Sequence, residues 1–294
     1  MNNDSLKFSL LMIFAMLLWG GGWTALKILT ASVSVEVLTF WRFVIMFLGF
    51  IPILLLFKEP IKLPKRSLKY ILTSSILNIL FMFFAYLGVK FSTAGSGGVI
   101  ITILSPLFTF LLSWIIFKHL HTKFQYMGLF IGLIGGFIML DIQSMQWDTL
   151  LHSGEPYFIL SAIIWALVTL NSQKSHQHIN SIHYSFFISA CAMIILFFLT
   201  LPYDIGVIFE QDSRFWIALI YLGIFGQTVA TTIFFIASVK LGSSKASSFM
   251  FLVPLFALAV SYFVLNETIQ IHILIGGSIS LLAVYFINRP YTTS

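Results

Sequence analysis

The sequence predicts an all-α integral membrane protein: ten transmembrane helices arranged as two inverted five-helix repeats. Three observations carry that expectation. Of the 294 residues 59% are hydrophobic and only 9% charged, against about 25% charged in an average soluble domain. The apolar residues gather in ten runs, and a helix needs roughly 20 such residues to cross the hydrocarbon core. The second half of the chain also repeats landmarks of the first.

In chain order the runs are Phe8–Leu29, Val37–Phe57, Leu68–Val89, Ala94–Phe117, Phe124–Leu140, Pro156–Ser172, Ile182–Leu201, Phe215–Val239, Ser244–Leu265 and Ile271–Ile287. Charged and turn-forming residues bound them. Lys7 ahead of Phe8–Leu18 imitates a signal peptide, but no small-x-small cleavage site follows and the run continues through Trp19–Leu29. It reads as a retained first span. The connecting segments are too short for an extramembrane domain of ordinary size, so the chemistry is expected inside the bilayer. Cys191 is the single cysteine and sits in an apolar run, which leaves no internal disulfide to form.

Orientation follows from Lys and Arg, which favour the cytoplasmic side. With the N-terminus inside, the inner segments hold Lys7, the group Lys58, Lys62, Lys65, Arg66 and Lys69, then Lys118, Lys123, Lys174, Lys240, Lys245 and Arg289. The outer side holds Lys27, Lys90 and Arg214, while Arg42 lies within span 2. The acids concentrate outside. This asymmetry explains the net charge of +6 without nucleic acid. It places both termini in the cytoplasm, and a bacterial inner membrane is the expected location.

The repeat is read from matched landmarks. Ser105–Pro106–Leu107–Phe108 is echoed by Val253–Pro254–Leu255–Phe256, Ser113 by Ser261, Gly128 by Gly276, and Trp19 by Trp165. The halves are 1–148 and 149–294. An odd number of spans per half turns the second copy over, and inverted repeats are a transporter architecture, because two near-equivalent halves can exchange conformations around a midplane site.

Several motifs resemble one family. Lys90–Phe91–Ser92–Thr93–Ala94–Gly95 followed by Leu104–Ser105–Pro106–Leu107–Phe108–Thr109 is similar to the central signature of the drug/metabolite transporter superfamily, and more narrowly of the EamA-type ten-helix exporters. Trp19–Gly20 with Lys27, and Trp41–Arg42–Phe43, resemble further family positions. Asn266–Glu267 resembles the family's Gly-Glu pair with Asn in place of Gly, and the first half departs there with Lys118–His119. The resemblance spans essentially the whole chain. It implies a five-plus-five inverted-repeat fold and export of small metabolites, often amino acids.

Candidate functional residues follow from polarity and helix breaking. No Asp or Glu lies in the middle of a span, so the buried carboxylate that serves as a default proton relay is missing. Trp19, Trp23 and Lys27 share a helix face at four-residue spacing, and Trp165 with Thr169 forms the matching face. The face is either an aromatic wall leading to a cation at the outer mouth, or core packing with a snorkelling Lys27. Gly20–Gly21–Gly22 either admits a neighbouring helix or lets span 1 bend for gating. Asn78 and its pseudo-equivalents Gln227 and Thr228 lie at mid-depth, with Tyr86 and Thr231 extending the polar faces. Such amides bind substrate or bond between helices. Pro106 and Pro254 interrupt corresponding helices, and paired interruptions point to a transport site or mark fixed kinks. Arg42 in span 2 is expected as a charged group near the mouth, attracting an anion or snorkelling. The small-residue faces of Gly128 with Gly132, and Gly276 with Ser280, read as packing surfaces.

The expected function is a secondary-type transporter exporting small neutral or zwitterionic metabolites such as amino acids by alternating access. Spans 1, 3, 4, 6, 8 and 9 line the cavity, with spans 5 and 10 as scaffold. The expected partners are the substrate and the bilayer, in a monomer or homodimer, with no nucleic acid, cofactor or metal. A non-transporting scaffold or sensor is the alternative. An intramembrane enzyme is a more distant one, because no span carries a clustered acid, histidine or metal motif.

Overall fold

The computed structural model describes residues 3–57, 61–92, 94–118, 121–140, 154–266 and 271–289. Ten helices follow one another: α1 (Asn3–Leu29), α2 (Val35–Phe57), α3 (Leu68–Phe91), α4 (Ala94–Phe117), α5 (Lys123–Met139), α6 (Glu155–Ser175), α7 (Ser181–Leu199), α8 (Ser213–Lys240), α9 (Ser243–Leu265) and α10 (Ile271–Asn288). Each coincides with a predicted run to within a few residues. Among the described residues nine are long and apolar enough to cross a membrane, and α5 is shorter at 17 residues. The boundary at 148/149, Thr93, His119, Asp141, Asp148 and Glu267 lie outside the described residues.

Helix starts are set by polar side chains at the edges of the runs. Thr122 and Gln125 form a reciprocal capping box at α5, Asn180 accepts from the His183 N–H at α7, and Asp212 accepts from the Phe215 N–H at α8. The ends of α4 and α9 share an unusual feature. Lys118 has φ 51° and Asn266 φ 53°, both left-handed. These are the positions where the resemblance calls for Gly, and the backbone supplies the reason: a left-handed residue ends the helix, and Gly adopts that conformation without a Cβ clash.

Packing follows an exchange of partners. α1 lies against α8 and α9, while α6 lies against α3 and α4. α2 packs on α7, and α5 on α10. Helices at corresponding places in the two halves thus have corresponding neighbours, the pattern a two-fold relation requires. Small residues bring the backbones together. A Cβ at Gly20 would lie 2.7 Å from the Ala257 nitrogen on α9, and one at Gly135 would lie 2.7 Å from the Gly276 carbonyl on α10. The surface away from these contacts is greasy: Phe263 is 80% exposed and Phe130 65%. A face of that kind needs lipid rather than water.

Two features lie beyond the sequence reading. α8 is not uniform: Tyr221–Thr231 is π-helical between α-helical ends Ser213–Ile220 and Thr232–Lys240. A short 3-10 turn, Ile205–Glu210, connects α7 to α8 and docks on α2, where the Trp41 indole N–H donates to the Ile205 carbonyl at 2.8 Å.

Candidate functional site

A cavity opens in the middle of the bundle, enclosing about 650 Å³ of space free of protein atoms, its solvent mouth included. α1 contributes Trp19, Gly22, Trp23 and Leu26. α3 contributes Phe81, Met82, Ala85 and Tyr86, and α8 contributes Leu222, Gly226, Gln227 and Thr231. Arg42 of α2, Ile101 and Thr102 of α4, Trp165 of α6, and Met250 and Val253 of α9 complete the wall.

Two kinds of helix interruption shape it. Proline lacks the N–H that the carbonyl four residues earlier would accept. For Pro106 that carbonyl belongs to Thr102, and for Pro254 to Met250, both of which line the cavity. α9 resolves its break with a 3-10 turn, Phe249–Leu252, in which the Val253 N–H donates to the Met250 carbonyl. α4 continues as α-helix through Pro106. The second interruption is the π segment of α8. There the Thr228 and Thr231 hydroxyls donate to carbonyls five residues back, Gly223 at 3.0 Å and Gly226 at 3.2 Å. Gly226 also accepts from the Trp19 indole N–H at 2.9 Å, so the widened turn anchors α1.

An aromatic floor closes one end. The Trp19 and Trp165 rings meet edge to face at 5.2 Å, Phe234 lies 5.1 Å from Trp19, and Phe81 lies 4.9 Å from Trp165. Trp19 and Trp165 are the pair matched by the repeat, so the contact falls where the two halves cross. Past Trp19, toward the N-terminus of α1, the bundle is filled: Met12, Ala15 and Met16 are fully buried in a core with Tyr184, Phe235 and Phe251. The cavity therefore occupies only the half of the bundle reached by the C-terminal part of α1.

Arg42 brings a charge to the cavity wall. Arg42 is 9% exposed, and its guanidinium donates from Nη1 to the Tyr86 hydroxyl at 2.6 Å and from Nη2 to Gln227 Oε1 at 2.9 Å. Three helices, α2, α3 and α8, meet at this network. Arg42 Nε, Gln227 Nε2 and the Trp165 indole nitrogen are buried without acceptors. Among the described residues no group of three or more His, Cys, Asp or Glu is placed to hold a metal ion.

A profile of the EamA-like transporter family matches residues 6–140 and again 152–289. The chain belongs to the EamA-like transporter family. It is thus a membrane transporter of a small-molecule substrate. Among relatives of the EamA-like chain, the uncharacterized transporter YoaV of Bacillus subtilis (strain 168) is 23% identical, covering 92% of this chain and 93% of its own length. An uncharacterized transporter of Archaeoglobus fulgidus is 24% identical, covering 95% of this chain and 96% of its own. A solved crystal structure at 16% identity superposes with a TM-score of 0.74 over 95% of this chain and 96% of that one, a likeness of fold.

Of the residues singled out from the sequence, this EamA-like fold brings Trp19, Trp23, Tyr86, Trp165, Gln227 and Thr231 to the cavity wall. Asn78 and Thr169 stand apart from it. Asn78 is 1% exposed and donates to the Ser74 carbonyl, while Thr169 donates to the Trp165 carbonyl. Each of these bonds stays within its own helix. Arg42, expected near the mouth, lies buried in the wall because Tyr86 and Gln227 on neighbouring helices accept its protons. Lys27 is exposed in the last turn of α1. Gly21, read from the sequence as either a close-packing or a gating position, sits in an unbroken helix under Tyr221, where a Cβ would collide with the tyrosine hydroxyl. Phe81, Thr102 and Met250 were not anticipated. Counting four back from each proline would have found the latter two.

Proposed function

We propose that the protein is a secondary-type exporter that moves small metabolites with an apolar body, amino acids among them, by alternating access. The observation that carries this reading is a cavity confined to one half of the bundle, with its floor made by the repeat-matched pair Trp19 and Trp165. A two-fold exchange of conformations would open the filled half and close the open one around that floor. The wall supports a solute with apolar bulk: three tryptophans, Phe81, Met82 and Met250 surround few polar groups. The reading includes a bacterial inner membrane as the location and cytoplasmic termini, the latter supported by the Lys and Arg asymmetry.

Counterflow in proteoliposomes tests the reading. Vesicles preloaded with leucine or phenylalanine and carrying the protein are expected to accumulate labelled solute faster than empty vesicles. Tyr86→Phe, which removes the hydroxyl that accepts from Arg42, is expected to slow exchange about tenfold, the cost of losing a hydrogen bond to a charged group. No accelerated exchange of any amino acid, from protein that remains folded, contradicts it.

A further inference from the structure

The cavity wall holds an unfinished set of hydrogen bonds, and every unfinished group is a donor. Arg42 uses Nη1 and Nη2 on Tyr86 and Gln227, which leaves Nε without an acceptor. Gln227, 2% exposed, spends Oε1 on Arg42, and its Nε2 has none. The indole nitrogen of Trp165, 3% exposed, has none either. Buried donors are nearly always satisfied, so a cluster of unsatisfied ones asks for a missing acceptor.

Charge narrows the answer. The Arg42 guanidinium gives the cavity wall a positive charge. Among the described residues no Asp or Glu lines it. A buried charge without a counter-ion is costly, and a carboxylate settles the charge and two N–H donors together. A zwitterion could also pair its carboxylate with Arg42, but it would bring an ammonium for which the described wall residues offer no carboxylate, and the occupied site would keep a net positive charge.

We infer that the preferred ligand of this cavity is an organic monoanion: one carboxylate, held by Arg42 and Gln227, on a flat or branched apolar body that lies against Trp19, Trp165 and Phe81. The inference rests on the transporter reading for its purpose, but binding can be tested without transport. The ligand is an acid whose amino group is absent or dispensable. It extends the amino-acid reading by naming the headgroup that is recognised and the one that is not.

The test is calorimetric titration of the full chain in lipid nanodiscs with phenylacetate, phenylalanine, phenylacetamide and phenethylamine, which share a body and differ in charge. Phenylacetate is expected to bind tightest, phenylalanine more weakly, and the amide and amine roughly 30-fold more weakly than phenylacetate. Arg42→Gln is expected to erase the preference for phenylacetate over phenylacetamide. The ligand series is read on the unsubstituted protein, so it stands even where that variant does not fold. Equal binding of the amide or the amine, tighter binding of phenylalanine, or no binding of phenylacetate overturns the inference. Exchange of phenylalanine without phenylacetate binding sinks this inference alone. Phenylacetate binding without any amino-acid counterflow sinks the transport reading alone.

Discussion

Lys118 and Asn266 close their helices with left-handed backbones, φ 51° and φ 53°. An L-residue with a Cβ is disfavoured there by roughly 1–2 kcal/mol, and Asn is tolerated better than Lys. Lys118→Gly is therefore expected to stabilise the protein by about 1 kcal/mol. Thermal unfolding in detergent, followed by intrinsic fluorescence, reads this as a higher midpoint, and an unchanged or lower midpoint contradicts it. At this scale the sequence was informative about residue type and less so about setting. Trp19, Tyr86, Trp165 and Gln227 could be singled out because polar and aromatic residues at mid-depth are few. Whether an amide meets the cavity or its own helix depends on a rotation of one or two residues. That is why Gln227 faces Arg42 and Asn78 bonds Ser74.

The elements were legible almost throughout, because each is a long apolar run with charges or caps at its ends. What sequence periodicity does not reveal is local winding. The π segment Tyr221–Thr231 contains no proline, and its hydroxyl bonds to carbonyls five residues back form only once the helix is already wide. The prolines of α4 and α9 did announce themselves, yet only α9 answers with a 3-10 turn. Contacts between elements depend on missing side chains. Gly135 and Gly276 let α5 and α10 touch through their backbones. Gly135→Leu is expected to destabilise by about 2 kcal/mol or more, since overpacked contacts are forced apart. Phe130→Ala on the same helix, where the side chain is 65% exposed, serves as the lipid-facing control and is expected to leave the unfolding midpoint nearly unchanged. Equal effects of the two substitutions would mean that the α5–α10 contact is not the one described.

At the scale of the molecule the halves are alike in packing and unlike in contents. α1 and α6 occupy corresponding places against α8 and α9 and against α3 and α4, and Trp19 meets Trp165 between them. Arg42 breaks the likeness: at the offset that relates Trp19 to Trp165, its counterpart on α7 is Ile188, in a stretch without charge. Among the described residues Arg42 gives one side of this nearly symmetric frame a charged wall, the feature on which the proposed recognition of an anionic group rests. The repeat was readable because landmark residues survived in both halves. The asymmetry was not, because a lone Arg in a span has several physical fates until its partners are known.

The central claim is that the open half and the filled half exchange. Ala85 lines the cavity, and Ala15 is fully buried in the filled half. With Cys191→Ser as background, cysteines introduced as Ala85→Cys and Ala15→Cys report on the two halves separately. In vesicles of known orientation, a membrane-impermeant maleimide added from the side of Lys27 is expected to label Ala85→Cys in the resting protein. Ala15→Cys is expected to become reactive from the opposite side only while substrate is being exchanged, as labelling of Ala85→Cys declines. Steady counterflow with Ala15→Cys unreactive throughout, or both positions labelled at rest from their own sides, would contradict alternating access through this cavity.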